Sequence, residues 1–147
     1  LDRSNIEDDK AVGWPIDPIA SINKLKSSLL DKLRGENGWS NEDTIGIIIT
    51  DSCLRPRRLG LVAQALVVSG FNPIVSQIGR PDLCGHPLTV TYEAVADQLA
   101  TAANFLMRNA DQAISAVIVR DHGLASSEFE GWVPGIDVDD DLFRGVI

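Results

Sequence analysis

Aromatic residues are scarce in this sequence, at 5% of the chain. Any core must therefore be built mainly from Ile, Leu, Val and Ala. The two cysteines, Cys53 and Cys84, are too few for a disulfide framework. Without an export signal they read as free thiols in a reducing cytosol, so the expected location is cytoplasmic. No apolar run approaches the ~20 residues needed to span a bilayer. Positive charge is also short: 13 Lys and Arg face 21 Asp and Glu, a formal net charge of -8. A phosphate backbone would repel that balance, so neither nucleic acid nor membrane is expected as a partner. Local arginine clusters still leave room for a small anionic ligand. There is no phosphate-binding P-loop and no Gly-rich dinucleotide fingerprint.

What remains is the composition of a soluble globular unit, 44% hydrophobic and 23% charged, in a chain of 147 residues. That length fits a single domain or fragment over residues 1–147. The first residue is Leu rather than Met, which suggests an upstream part, although a processed chain would look the same.

Local patterns predict a series of elements. Asp17 is a good N-cap and Pro18 sits where its missing N–H is harmless. Ile19, Ile22, Leu25, Leu29 and Leu33 then recur at helical spacing up to Gly35 and Gly38. Ile45 to Thr50 is a short apolar, β-branched run that suits a buried strand. Leu59 to Ser69 fits either period and is read as a strand. Asn72 to Ile78 reads as a strand, and Arg80 to Pro87 as a polar loop lining a site. Thr91 is the expected cap of a second helix, whose buried stripe is Val95, Leu99, Ala102 and Leu106, ending near Asn109. Ile114 to Arg120 reads as another strand. This order predicts an α+β (mixed α/β) domain, a mixed sheet with packed helices.

The sharpest local chemistry is Asp51-Ser52, expected at the end of the Ile45–Thr50 strand. A carboxylate there, with a hydroxyl beside it, suits a hard cation. Arg55, Arg57 and Arg58 follow within a turn and could neutralise phosphate or carboxylate. The plain alternative is an Asp capping a turn beside solvated arginines. A phosphatase with Asp51 as nucleophile is disfavoured, because Cys53 stands where a second Asp is expected. Asp2, with Ser4 and Asn5, forms a further polar cluster. Asp82 flanks a site loop, whereas Asp97 reads as an exposed helix residue. Cys84-Gly85-His86 lacks the second ligand pair of a zinc site. Cys53 with His86 or His122 has nothing to orient it as a nucleophile and base. The acidic tail, Asp137 and Asp139 to Asp141, reads as solvated surface.

Taken together, four blocks resemble the coenzyme F420-0:γ-glutamyl ligase family. Leu1–Ile6 (LDRSNI) is similar to its Asp-x-Ser-Asn-Val segment. Pro15–Ser21 (PIDPIAS) is similar to its Pro-x-Asp-Pro-x-x-Ser helix start. Ile47–Arg58 (IIITDSCLRPRR) resembles its strand followed by Asp-Ser/Thr-Phe-Gly-Arg-Pro-Trp-Arg. Pro81–Met107 resembles its Asp-x-x-Gly loop and following helix. The resemblance implies GTP-driven joining of L-glutamate to an F420 precursor, with magnesium or manganese between carboxylates and phosphates. It implies metal contact at Asp2, Asp51 and Ser52, nucleotide contact at Asn5, and a homodimer. Arg55 and Arg58, both kept from the motif, are read from charge as holding substrate carboxylate or phosphate. Where the family has Phe-Gly this chain has Cys53-Leu54, and where it has Trp this chain has Arg57. Those departures leave open a second reading, a catalytically silent relative serving as a ligand-binding or assembly module.

Overall fold

The computed structural model describes residues 6–34, 39–40 and 43–145. Helix α1 spans Pro18–Leu33. Asp17 has extended backbone angles and its Oδ1 accepts the Ala20 N–H at 2.9 Å, so the expected cap forms. Five strands follow in part: β1 Ile47–Leu54, β2 Leu61–Phe71, β3 Val75–Ser76, β4 Tyr92–Glu93 and, after helix α2 at Val95–Met107, β5 Ser126–Trp132. Together they make the expected α+β fold, and the pairings among the described strands are antiparallel.

Strands β1, β2 and β5 form one sheet with β2 in the centre. The centre position explains why β2 is buried almost throughout while β5 alternates. One face carries Ala63, Ala65 and Val68 against Val95, Ala96 and Ala100 of α2. Small residues on both sides let the helix approach the sheet closely. The opposite face carries Ser69 beneath α1, where Lys26 Nζ donates to Ser69 Oγ at 3.3 Å. Ser69 is fully buried. Its hydroxyl donates to Glu130 Oε1 at 3.3 Å, and Asn23 Nδ2 of α1 donates to Glu130 Oε2 at 2.8 Å. The polar line from α1 to β5 thus satisfies a hydroxyl that burial would otherwise penalise.

Register shifts between Ile49 and Thr50, because Val67 faces Ile49 while Ala65 faces Thr50. Leu66 is the extra residue of a β-bulge. Its carbonyl accepts the Val133 N–H at 2.9 Å, and the Ala65 N–H donates to Asp97 Oδ1 of α2 at 2.8 Å. Asp97 is therefore half-buried and bonded to the sheet, not an exposed helix residue.

Several sequence expectations are corrected. Thr91 does not cap α2: Tyr92 and Glu93 pair with Ser76 and Val75, and the cap is Ala94, without a side-chain bond. The helix ends at Met107 because Arg108 adopts a φ of 65°. Asn72–Ile78 contributes only Val75–Ser76 to a strand. Ile114–Arg120 forms no strand, and Ile118 is 78% exposed. A strand unmarked by the sequence reading, β5, fills that role. Among the described residues no helix is long and apolar enough to cross a membrane.

Candidate functional site

The strand carrying Asp51 and Ser52 is longer than expected. It runs on to Leu54, so Asp51 lies within β1 rather than at its end. Asp51 pairs with Gln64 and Ser52 with Ala63. Consecutive strand side chains leave opposite faces, so the Asp51 carboxylate and the Ser52 hydroxyl diverge. The Asp51 side is the α1 side of the sheet. There Trp14, in the segment leading to α1, donates its indole N–H to Asp51 Oδ2 at 2.7 Å. The Ser52 backbone N–H donates to Asp51 Oδ1 at 2.8 Å. Trp14 also meets Trp132 of β5, with ring centroids 5.9 Å apart and planes tilted by 49°. The two indoles are 53% and 46% exposed. They form an aromatic wall beside a carboxylate held by two donors.

This geometry bears on whether a cation fits. Each carboxylate oxygen of Asp51 accepts one hydrogen bond and keeps a second lone pair. Asp51 thus remains a hard oxygen donor, half-exposed at the sheet surface. The Ser52 backbone carbonyl lies in the plane of the sheet, so Ser52 does not share the Asp51 face. Among the described residues no group of three or more His, Cys, Asp or Glu gathers into a metal cage. Asp2 and Asn5 lie outside the described residues. Among the described residues Asp51 alone offers a carboxylate here, so a magnesium- or manganese-type ion would take most of its shell from phosphate and water.

Beyond Leu54 the chain turns through Arg55–Gly60 and returns as β2. Leu54 lies about 10 Å along the strand from Asp51, at ~3.3 Å per residue. Arg55, Arg57 and Arg58 are all exposed on this turn. The Arg58 N–H donates to the Arg55 carbonyl at 3.2 Å, and Arg57 adopts a φ of 58°. The turn borders a shallow groove of about 370 Å³, with Leu59, Leu61 and Val62 beside the arginines.

The remaining candidates stand apart. Asp82 sits at the tip of the arm that joins β3 to β4. Its Oδ1 accepts the backbone N–H groups of Cys84 and His86, both at 2.8 Å. These bonds, the His86 one foremost, hold its carboxyl below the ordinary value. His86 Nδ1 lies 3.5 Å from Asp82 Oδ2. The Asp82–His86 loop is thus organised by its own backbone, which accounts for its polar sequence. Cys53 is half-buried and Cys84 exposed, both as free thiols. His122 Nδ1 accepts the Leu124 N–H at 3.1 Å. The acidic tail is exposed, with Asp139 paired to Arg144 at 2.6 Å. The sequence reading missed Trp14 and Trp132. The one available signal was the even-spaced pattern of Ser126–Trp132, whose outward positions end on Trp132.

Comparison with known proteins places this arrangement. A family model described as F420-0:gamma-glutamyl ligase matches residues 1–121. A coenzyme F420:L-glutamate ligase from Archaeoglobus fulgidus is 40% identical over 120 residues, covering 82% of this chain and 45% of the relative. Its counterpart from Methanothermobacter thermautotrophicus is 35% identical over 147 residues, covering 99% of this chain and 55% of the relative. The Methanocaldococcus jannaschii protein of the same name is 38% identical over 120 residues, with 82% and 45% covered. The chain spans about half the length of these curated relatives. The match takes in the blocks around Asp2, Asp51 and Arg55–Arg58 and all of α2, and the chain belongs to the F420-0:gamma-glutamyl ligase family.

Proposed function

We propose that this chain supplies the cation-holding portion of a GTP- and divalent-metal-dependent ligase that adds L-glutamate to a coenzyme F420 precursor or related acceptor. The observation that carries the reading is Asp51, an oriented, half-exposed carboxylate within the segment that the family model matches. Magnesium or manganese, when bound, would neutralise phosphate oxygens and steady charge during phosphoryl transfer. Asp51 would hold that ion. Asp2 and Asn5 are proposed to complete the metal and nucleotide contacts.

The chemistry then follows in two steps. An acceptor carboxylate oxygen attacks the γ-phosphorus of GTP and GDP departs. The glutamate amine attacks the activated carbonyl carbon, phosphate departs with the C–O bond electrons, and the amine proton passes to solvent. Arg55 and Arg58 hold carboxylate or phosphate of the acceptor. The full reaction is proposed for the protein at the length of its relatives, working in the cytoplasm as a homodimer.

Transfer of labelled glutamate to an F420 precursor, followed with GTP and manganese in a protein of that length, tests this. Loss of transfer in Asp51→Ala, with folding intact, is the expected result. Undiminished transfer by that variant would sink the assignment of Asp51. The second reading, a silent relative acting as a binding module, draws on the divergence of Asp51 and Ser52 to opposite faces of β1. Absence of GTP turnover in the folded wild-type protein, with the precursor still bound, would favour it.

A further inference from the structure

The turn between β1 and β2 concentrates positive charge in an otherwise acidic chain. Three of the 13 Lys and Arg residues stand within the stretch Arg55–Arg58, against a net charge of -8. Among the described residues none places a carboxylate within ion-pair distance of these guanidiniums. Like charges on one short turn repel one another, and a bound anion relieves that repulsion. Local structure holds them together nonetheless. Pro56 fixes one backbone angle, the Arg58 N–H closes the turn onto Arg55, and Arg57 is held at a φ of 58°. A left-handed Arg is an unfavourable choice where Gly is the ordinary solution, and such strain gathers at binding sites. The adjacent open groove is lined by Leu59, Leu61 and Val62 beside the arginines.

We propose that Arg55, Arg57 and Arg58 form a three-armed cradle for a ligand carrying two or more anionic groups, carboxylate or phosphate. Arg57 is the added arm. One guanidinium fork engages one anionic group, so three forks on a rigid turn select for multiple charges over one. This deepens the acceptor role given above to Arg55 and Arg58, and rests on that reading for which molecule brings the anions. Anion capture itself requires neither GTP nor a metal.

Calorimetric titration of the 147-residue chain with pyrophosphate and, separately, with tricarballylate tests the cradle, at low salt and without divalent cations. Wild type binds at least one probe saturably, and raised salt weakens it. Binding of pyrophosphate alone identifies phosphate as the preferred group, and of tricarballylate alone carboxylate. Arg57→Gly, which removes the charge and relaxes the backbone, weakens binding roughly tenfold, as does Arg55→Ala. Arg57→Lys retains part of the affinity, and Arg108→Ala on the far helix end retains all of it. Failure of both probes to bind, or equal binding by wild type and Arg57→Gly, would overturn the cradle. Loss of glutamate transfer in Asp51→Ala with anion binding intact would leave it standing, so the two proposals fail separately.

Discussion

Replacing Asp97 by Ala should unsettle the sheet from the helix side. Ala65 lies beyond the Val67–Trp132 pair at the end of the β2–β5 ladder, and Asp97 Oδ1 accepts its N–H at 2.8 Å. Ala65 is buried at 7% exposure, so water cannot readily replace the carboxylate. A hydrogen bond to a charged group contributes about 1.5–3 kcal/mol net, and an orphaned buried N–H costs a similar amount. We take about 2 kcal/mol as the expected loss. Asp97 also lies in the first turn of α2, where its charge favours the helix dipole by roughly 0.3–1 kcal/mol. Asn keeps the carbonyl acceptor but not the charge, so Asp97→Asn should lose about half as much as Asp97→Ala. Urea unfolding of the three proteins gives the values. Near the midpoint the Ala variant should melt roughly 4–8 °C lower. Hydrogen exchange at the Ala65 amide should quicken selectively. If both variants unfold within about 0.5 kcal/mol of wild type, or Ala65 exchange is unchanged, Asp97 does not hold the Ala65 amide.

Two other perturbations follow from backbone geometry. Gly70 has a φ of +99°, and an added Cβ would lie 2.6 Å from the Ile45 carbonyl oxygen. Gly70→Ala should therefore lose about 2–4 kcal/mol in denaturant unfolding, and a loss below about 1 kcal/mol would contradict the contact. The depressed Asp82 carboxyl organises the loop tip above the ordinary carboxylate pKa of ~3.9, and this ordering fades as pH falls through the lower folded value. The amide resonances of Cys84 and His86 should hence shift with a midpoint below pH ~3.9, and a midpoint above it would refute the bonding.

Legibility in the sequence followed the range of the interactions involved. Helix α1 was readable because its cap, its proline and its apolar stripe are all local. Strand β2 fits either period in the sequence because a central strand, apolar on both faces, loses its alternation. Thr91 misled because the pairing of β4 with β3 outcompeted a local cap, a contact that joins Ser76 and Tyr92 across 16 residues. Ile114–Arg120 has strand composition but no strand beside it among the described residues, and propensity without a partner does not make a sheet. In its place Ser126–Trp132 gains a position by pairing with β2, although four of its seven residues are exposed. At the candidate site, Asp51 and the arginine turn were legible as local chemistry. The Trp14 bond to Asp51 was not, because it spans 37 residues and depends on the path of the segment before α1.

The central claim is that Asp51 holds a divalent cation. Trp14 donates to its carboxylate and touches Trp132, so the indoles report directly on that corner. Manganese titration followed by tryptophan fluorescence measures it. Saturable quenching in wild type that disappears in Asp51→Ala is the predicted result. Equal quenching in the two proteins, with equal apparent affinity, would contradict the account.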